Sequence, residues 1–522
     1  MKGLPAETDF VVLGAGIAGL RAAIELAAAG RVLVVAKKEL LHLDARPAQG
    51  GGSAPLNDED EVSLHLQDTL NAGDGLCNPA AVKVMVEEGP ELIEQLIAWA
   101  AKLDRRNARL VFAQESAHSR SRVLHAQGAS TGMEILRTLV AEAHSLKNIS
   151  YAESVFTTAL ITEDGRVTGI SLIDEKGVPR EIGCCAVLLA TGGMGQIYRN
   201  TTNPESATGD GVAIAFRAGA EVGDMEFVQF RPTVLYLKKA PRFLLVEELR
   251  IEGGHLRNIE LSRFMAKYHP MGELAPPDVV TRAIIHEMEV SRSKDPFVYL
   301  DLTHLDAAKV RKRFARIYAT CMQHNIDITE DLIPVRPAAH YTVGGVRTDL
   351  DGKTNIPGLF AAGEVAATGA HGANRLASNA LLEALVYGAR AGRSMREELK
   401  SGPKMRPQPM AAYSNGPVDA GVEELTGQIQ DLMWNDVGVV RSRAGMQNAI
   451  RKLEEMAPRL AHPKTRRAYE AAHVHLSALL VARSALAREE SRGAHYRLDY
   501  SDHDDKKFLK HSMIRSDKVV FG

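Results

Sequence analysis

The run Gly14-Ala15-Gly16-Ile17-Ala18-Gly19 puts three glycines where a backbone must come close to a bulky, negatively charged group. The apolar run Phe10-Val11-Val12-Leu13 precedes it and the helical stretch Leu20 to Ala29 follows, so the glycines occupy a strand-to-helix turn. Gly14 permits the tight turn, Gly16 lets backbone approach a pyrophosphate, and Gly19 lets helix and strand pack closely. The helix N-terminus then offers its amides and positive dipole end to the phosphates. That chemistry is dinucleotide binding. One usual element is absent: the second strand, Arg31 to Val35, ends in Ala36-Lys37-Lys38 and not in the acid that holds a ribose 2′-OH. Taken alone, the motif also allows a glycine turn that holds no ligand.

The elements that position these glycines are spread along the chain. Val187 to Gly193 is a second buried strand ending in a glycine turn, and Gly358 to Glu364 is a third, late one. A domain assembled from early and late strands implies an insert, here about Glu226 to Ala339, with mixed helix and strand patterns. Pro403, Pro407 and Pro409 mark a linker, and Val422 to Arg492 carries helical periodicity with charged faces. The expected fold is α/β: a Rossmann-like domain (residues 1–225 and 341–400), an inserted α+β capping domain (226–340) and a C-terminal helical bundle (401–522).

At 522 residues the chain can form two or three domains, and its 45% apolar and 25% charged content is that of an ordinary globular protein. A formal charge of −2 gives no basic excess, which argues against nucleic acid as a partner. No run of eighteen apolar residues occurs, so no membrane span is expected. Cys77, Cys184, Cys185 and Cys321 form neither CxxC nor a disulfide framework. With no basic leader after Met1, a reducing cytoplasm is the expected location. The Lys506 to Lys510 tail reads as a solvated terminus.

Several longer motifs carry a resemblance. Ala48-Gln49-Gly50-Gly51, Thr202-Asn203-Pro204, Thr208-Gly209-Asp210-Gly211 and His371 to Asn379 (His-Gly-Ala-Asn-Arg-Leu-Ala-Ser-Asn) resemble the succinate dehydrogenase/fumarate reductase flavoprotein superfamily. Within it, Ala72 to Cys77 and Pro337-Ala338-Ala339-His340-Tyr341-Thr342 are most similar to the L-aspartate oxidase branch, which opens bacterial NAD synthesis. The resemblance runs from about Asp9 to Tyr500. It implies FAD held by Gly14, Gly16, Gly19, Lys37, Gln49, Gly50, Gly51, Asp210, Glu364, Ser378 and Leu382. Ser378-Asn379 would open a helix from Ala380 to Ala391, either as a plain N-cap or with its amides facing the flavin. Where dehydrogenases carry a flavin-linking His, this chain has Asp44, so FAD is expected to be non-covalent.

The resemblance also implies a site that grips two carboxylates and delivers a hydride to FAD. Arg375 matches the carboxylate clamp, His340 the second carboxylate ligand, and Glu115 the acid that meets the substrate's ammonium. Glu247 and Arg250 match a proton relay. Two positions depart from the pattern: Arg231 stands where the family has His, and Pro277 where it has the relay's terminal Arg. Proline brings no guanidinium and suits the first turn of a helix. Val246 replaces a Thr, and Ala380 a Ser.

Three readings stay open. Arg231 takes over carboxylate binding, and L-aspartate is oxidised to iminoaspartate, with oxygen as acceptor giving hydrogen peroxide and hand-off to quinolinate synthase. Alternatively, the pocket is retuned for another amino or hydroxy acid. Or the chain is a catalytically weak FAD-binding protein.

Overall fold

The computed structural model describes residues 4–39, 51–57, 60–115, 117–126, 130–174, 177–237, 240, 242–401 and 421–522. The proline-marked linker, Asp44, Gln49 and Gly50 lie outside these residues.

The five-stranded central sheet is parallel throughout. Its order is Leu359–Ala361, Ala186–Leu189, Phe10–Leu13, Val32–Val35, Ile149–Ala152. Early and late segments do meet: Val187 pairs with Val11 on one side and Leu359 on the other. The first four of these strands are apolar and buried at every position because both faces are covered, whereas the edge strand Ile149–Ala152 exposes Ser150. Val11, Leu13, Leu33 and Val35 point into one core, while Phe10, Val12, Val32 and Val34 point into another on the opposite face.

The inserted segment folds around a four-stranded antiparallel sheet in the order Val228–Leu235, Ile333–Thr342, Val298–Asp301, His255–Arg257. Helix Pro277–Val290 and the short helices Ala307–Arg313 and Ala315–Met322 accompany it. Its apolar side chains, among them Leu245, Ile284, Leu300 and Val335, form a core of their own.

Helices Val422–Asp436, Arg443–Met456 and Arg466–Ala487 pack against one another near the C-terminus. The last residues depart from the helical expectation. A hairpin, Ser512–Arg515 with Lys518–Phe521, adds to strand Val222–Gly223. The Lys506 to Lys510 segment is also more than a solvated tail. Phe508 is buried, and the Arg488 guanidinium donates to Phe508 O at 2.7 Å and Lys510 O at 2.8 Å. Backbone carbonyls satisfying a buried arginine tie that end down. Among the described residues, no helix is long and apolar enough to cross a membrane.

Candidate active site

The glycine turn has the geometry that a dinucleotide requires. Gly14 has φ +115°, and a Cβ there would lie 2.1 Å from Ala190 O. A Cβ on Gly19 would lie 2.0 Å from Gly14 O, so strand and helix touch backbone to backbone. At Gly16 a Cβ would meet nothing within 4 Å. Helix Ile17–Leu26 starts there with no side-chain cap, which leaves its first amides for an anion.

A cavity of about 740 Å³ lies between the parallel-sheet domain and the inserted segment. Arg231 and His340 reach it from the two long strands of the inserted sheet, and Glu247 and Arg250 from the short helical turn before that sheet's edge strand. Glu115 enters from a loop, and Arg375 from the turn before helix Asn379–Met395. All six side chains that the sequence singles out for catalysis therefore line one space. Gly51, Glu364 and Ser378 line it too.

The guanidinium of Arg375 donates to Gln229 Oε1 at 2.9 Å and lies 4.6 Å from the centre of the Tyr341 ring. Burial first, then the neighbouring Arg231, lower it to about 10. The Nε of Arg231, of Arg375 and of Arg250 are each buried with no hydrogen-bond partner in the protein. Buried donors without acceptors are costly. Arg231 and Arg375 border the same cavity, and two guanidinium forks there suit carboxylate oxygens.

Burial, reinforced by Arg231 and Arg375, holds His340 well below the usual histidine range, so the ring is neutral. Its Nδ1 lies 2.8 Å from Thr202 Oγ1. Burial dominates at Glu115 as well and raises its carboxyl, while the Ser378 hydroxyl, Arg231 and Arg375 oppose the rise. Glu247 accepts from Arg250 Nη2 at 3.1 Å, and Arg250 Nη1 donates to Glu273 O at 2.7 Å. Burial pushes Glu364 up to about 7 even though it accepts from the Thr342 amide at 3.0 Å and hydroxyl at 3.1 Å.

The sequence comparisons match the same architecture. The FAD binding domain family covers residues 9–381, and the Fumarate reductase flavoprotein C-term family covers residues 426–520. L-aspartate oxidase of Streptomyces coelicolor is 41% identical over 97% of this chain and 91% of its own length. The chloroplastic L-aspartate oxidase of Arabidopsis thaliana is 41% identical over 96% of this chain and 82% of its own length. The chain belongs to the L-aspartate oxidase family. Its fold is shared more widely. An E. coli quinol fumarate reductase FrdA chain superposes with a TM-score of 0.90 at 31% identity, over 99% of this chain and 96% of that one. For a Mycobacterium smegmatis Sdh1 complex the TM-score is 0.87 at 32% identity, over 99% and 94%.

As a member of this family the chain binds FAD, and the open cradle at Gly16 and the main cavity fit that cofactor. Of the expected cofactor residues, Gly51, Glu364 and Ser378 border the main cavity, while Gly14, Gly16, Gly19, Lys37, Asp210 and Leu382 do not. Lys37 Nζ is 2.8 Å from Asp210 Oδ2 and 3.1 Å from Glu470 Oε1, and His473 Nδ1 is 2.9 Å from Asp210 Oδ1. Lys37 and Asp210 thus pair with each other and with a C-terminal helix, outside the main cavity. The Leu382 side chain also stays outside: a Cβ on Gly89 would meet it at 2.6 Å, while Leu381 and Ala384 from the same helix line the cavity.

Ser378 occupies the N-cap position of helix Asn379–Met395, yet its side chain makes no cap bond. With φ +64° it turns its hydroxyl to Glu115 Oε2 at 2.7 Å. The plain N-cap reading therefore does not hold.

Several site residues are given no role by the sequence, although Thr202, Tyr341 and His371 stand inside its motifs. Thr202 holds His340, and Gln229 holds Arg375. Tyr341 lies under Arg375 and donates to Glu383 Oε2 at 2.9 Å. His371 and Thr368 bond the same buried carboxylate. Only the period of a strand hints at Gln229, two residues before Arg231 on the same strand. Pro277 is the first residue of helix Pro277–Val290 and lies outside the main cavity.

Proposed function

We propose that this site oxidises L-aspartate to iminoaspartate, with Arg231 supplying the carboxylate contact that Pro277 cannot. One observation carries the reading: Arg231 and Arg375 border one cavity together with Glu115 and His340. A substrate with two carboxylates and one ammonium is complementary to two guanidiniums and one carboxyl. Bound FAD supplies the hydride acceptor.

The rest falls to the side chains. Arg375 and Arg231 grip the carboxylates and fix the Cα–H. Neutral His340, with Nδ1 engaged by Thr202, has Nε2 free for a carboxylate oxygen. Glu115 meets the ammonium and, its proton affinity raised by burial, takes up the proton that must leave nitrogen before the C=N bond forms. Amine oxidation needs no proton donor to a carbon, so the lost relay terminus matters little for it. The inserted segment, residues 226–340, caps the site and excludes water. Oxygen as acceptor with peroxide release, a cytoplasmic location and hand-off of iminoaspartate to quinolinate synthase complete the reading. They rest on the family resemblance and the cysteine pattern.

Anaerobic mixing of the holoenzyme with L-aspartate tests it. Prompt bleaching of the flavin, reversed by air with peroxide release, is the expected result. A flavin that stays oxidised with aspartate but bleaches with another amino or hydroxy acid moves the substrate. No bleaching with any of them makes the chain a catalytically weak FAD-binding protein.

A further inference from the structure

A second chamber of about 160 Å³ lies next to the main cavity, and Arg231, Glu247 and Arg375 form walls of both. Much of its remaining wall is apolar, with Pro276 and Pro277 at a helix start and Val439 and Ala494 from the C-terminal part of the chain. Arg282 also lines it, paired with Asp278 Oδ2 at 2.8 Å and lying 4.7 Å from the Tyr496 ring centre. Pro277 is one of its walls, where a longer side chain would compete for this space. Its volume corresponds to about five water molecules. That exceeds the one or two methylenes by which the next amino diacids are longer than aspartate.

We propose that this chamber extends the substrate site, so that L-glutamate and L-2-aminoadipate are bound and oxidised alongside L-aspartate. The proposal rests on the amino-diacid reading above. The α-carboxylate and amine stay with Arg375, His340 and Glu115, where the Cα–H must be presented. Only the side chain passes Arg231. Its methylenes meet the proline and alanine wall, and its carboxylate lies between Arg231 and Arg282, two forks suited to it. The reaction is unchanged: the Cα–H bond breaks, its electron pair passes as hydride to bound FAD, a proton leaves nitrogen and C=N forms. Each methylene buried against such a wall contributes about fourfold in affinity.

The test is a titration of the holoenzyme with succinate, glutarate and adipate, diacids that lack the amine, read by perturbation of the flavin spectrum. Turnover of the three amino diacids is measured in parallel. Glutarate is expected to bind at least as tightly as succinate, and glutamate to be oxidised within about tenfold of aspartate in kcat/KM. Ala494→Leu and the larger Ala494→Phe, which fill the chamber, should each weaken glutarate at least tenfold and leave succinate within about threefold. Glutarate binding tenfold weaker than succinate in the unaltered enzyme overturns the proposal. So does glutarate binding that neither substitution changes. In both cases prompt oxidation of aspartate would leave the amino-diacid reading standing. That reading fails separately if none of the three amino diacids reduces the flavin.

Discussion

Ser378 donates its hydroxyl to Glu115 Oε2 over 2.7 Å, joining the start of helix Asn379–Met395 to a buried acid that lines the same cavity. The bond favours the ionised carboxylate and opposes the rise that burial imposes. Ser378→Ala removes it and lifts the Glu115 carboxyl further. A base is lost as pH falls through its pKa, so the acid limb of the kcat/KM profile for aspartate should move to higher pH. An acid limb that stays in place would show that Glu115 is not the proton acceptor.

Arg231 tests the relocation of the clamp. Arg231→Ala should lower kcat/KM for aspartate by about a thousandfold, the usual scale for losing a charged transition-state contact. Arg231→His, which restores the family's residue, should bring no gain. A large gain in that variant would sink the idea that the guanidinium has taken over the carboxylate.

Pro277 bears on the opposite direction of the chemistry. Reducing fumarate needs a proton delivered to carbon, and proline has none to give. Reoxidation of the reduced enzyme by fumarate in a stopped-flow experiment should therefore be slow, at least a hundredfold slower than reduction by aspartate. Pro277→Arg should speed it.

Glu364 predicts a pH dependence of stability. Its folded-state pKa is raised to about 7 from an ordinary value of 4.5. Its contribution is fully present below about 4.5 and is lost as pH rises through about 7. For the FAD-free protein, the Tm of Glu364→Gln relative to the unaltered chain should rise across that window and level off above it. A Tm difference that stays flat from pH 4.5 to 8 would contradict the assignment.

Local pattern made the framework legible. Strand, glycine turn and helix at Phe10 to Leu26 follow from apolar runs and from backbone contacts that leave no room for a Cβ. The late strand Leu359–Ala361 declares itself in the same way. The six candidate catalytic side chains were readable from motifs, because each motif binds a residue type to its local backbone.

Only the tertiary structure decided what lies between motifs. The Ser378–Glu115 bond spans 263 positions in sequence, and the Gln229–Arg375 bond spans 146. Lys37 turns to Asp210 and Glu470, and the Leu382 side chain to helix Pro79–Ala98. Which rotamer a side chain takes depends on neighbours that local periodicity does not encode. The second chamber is of the same kind. A proline in sequence is a missing guanidinium, and only the packing of Val439, Ala494 and Pro276 around it shows the space beside it. The sequence by itself determined the scaffold, the cofactor class and the types of group at the site, since these follow from residue identity and short-range period. Their partners, protonation and the free volume around them were set by burial and long-range contact, which exist only once the chain is packed.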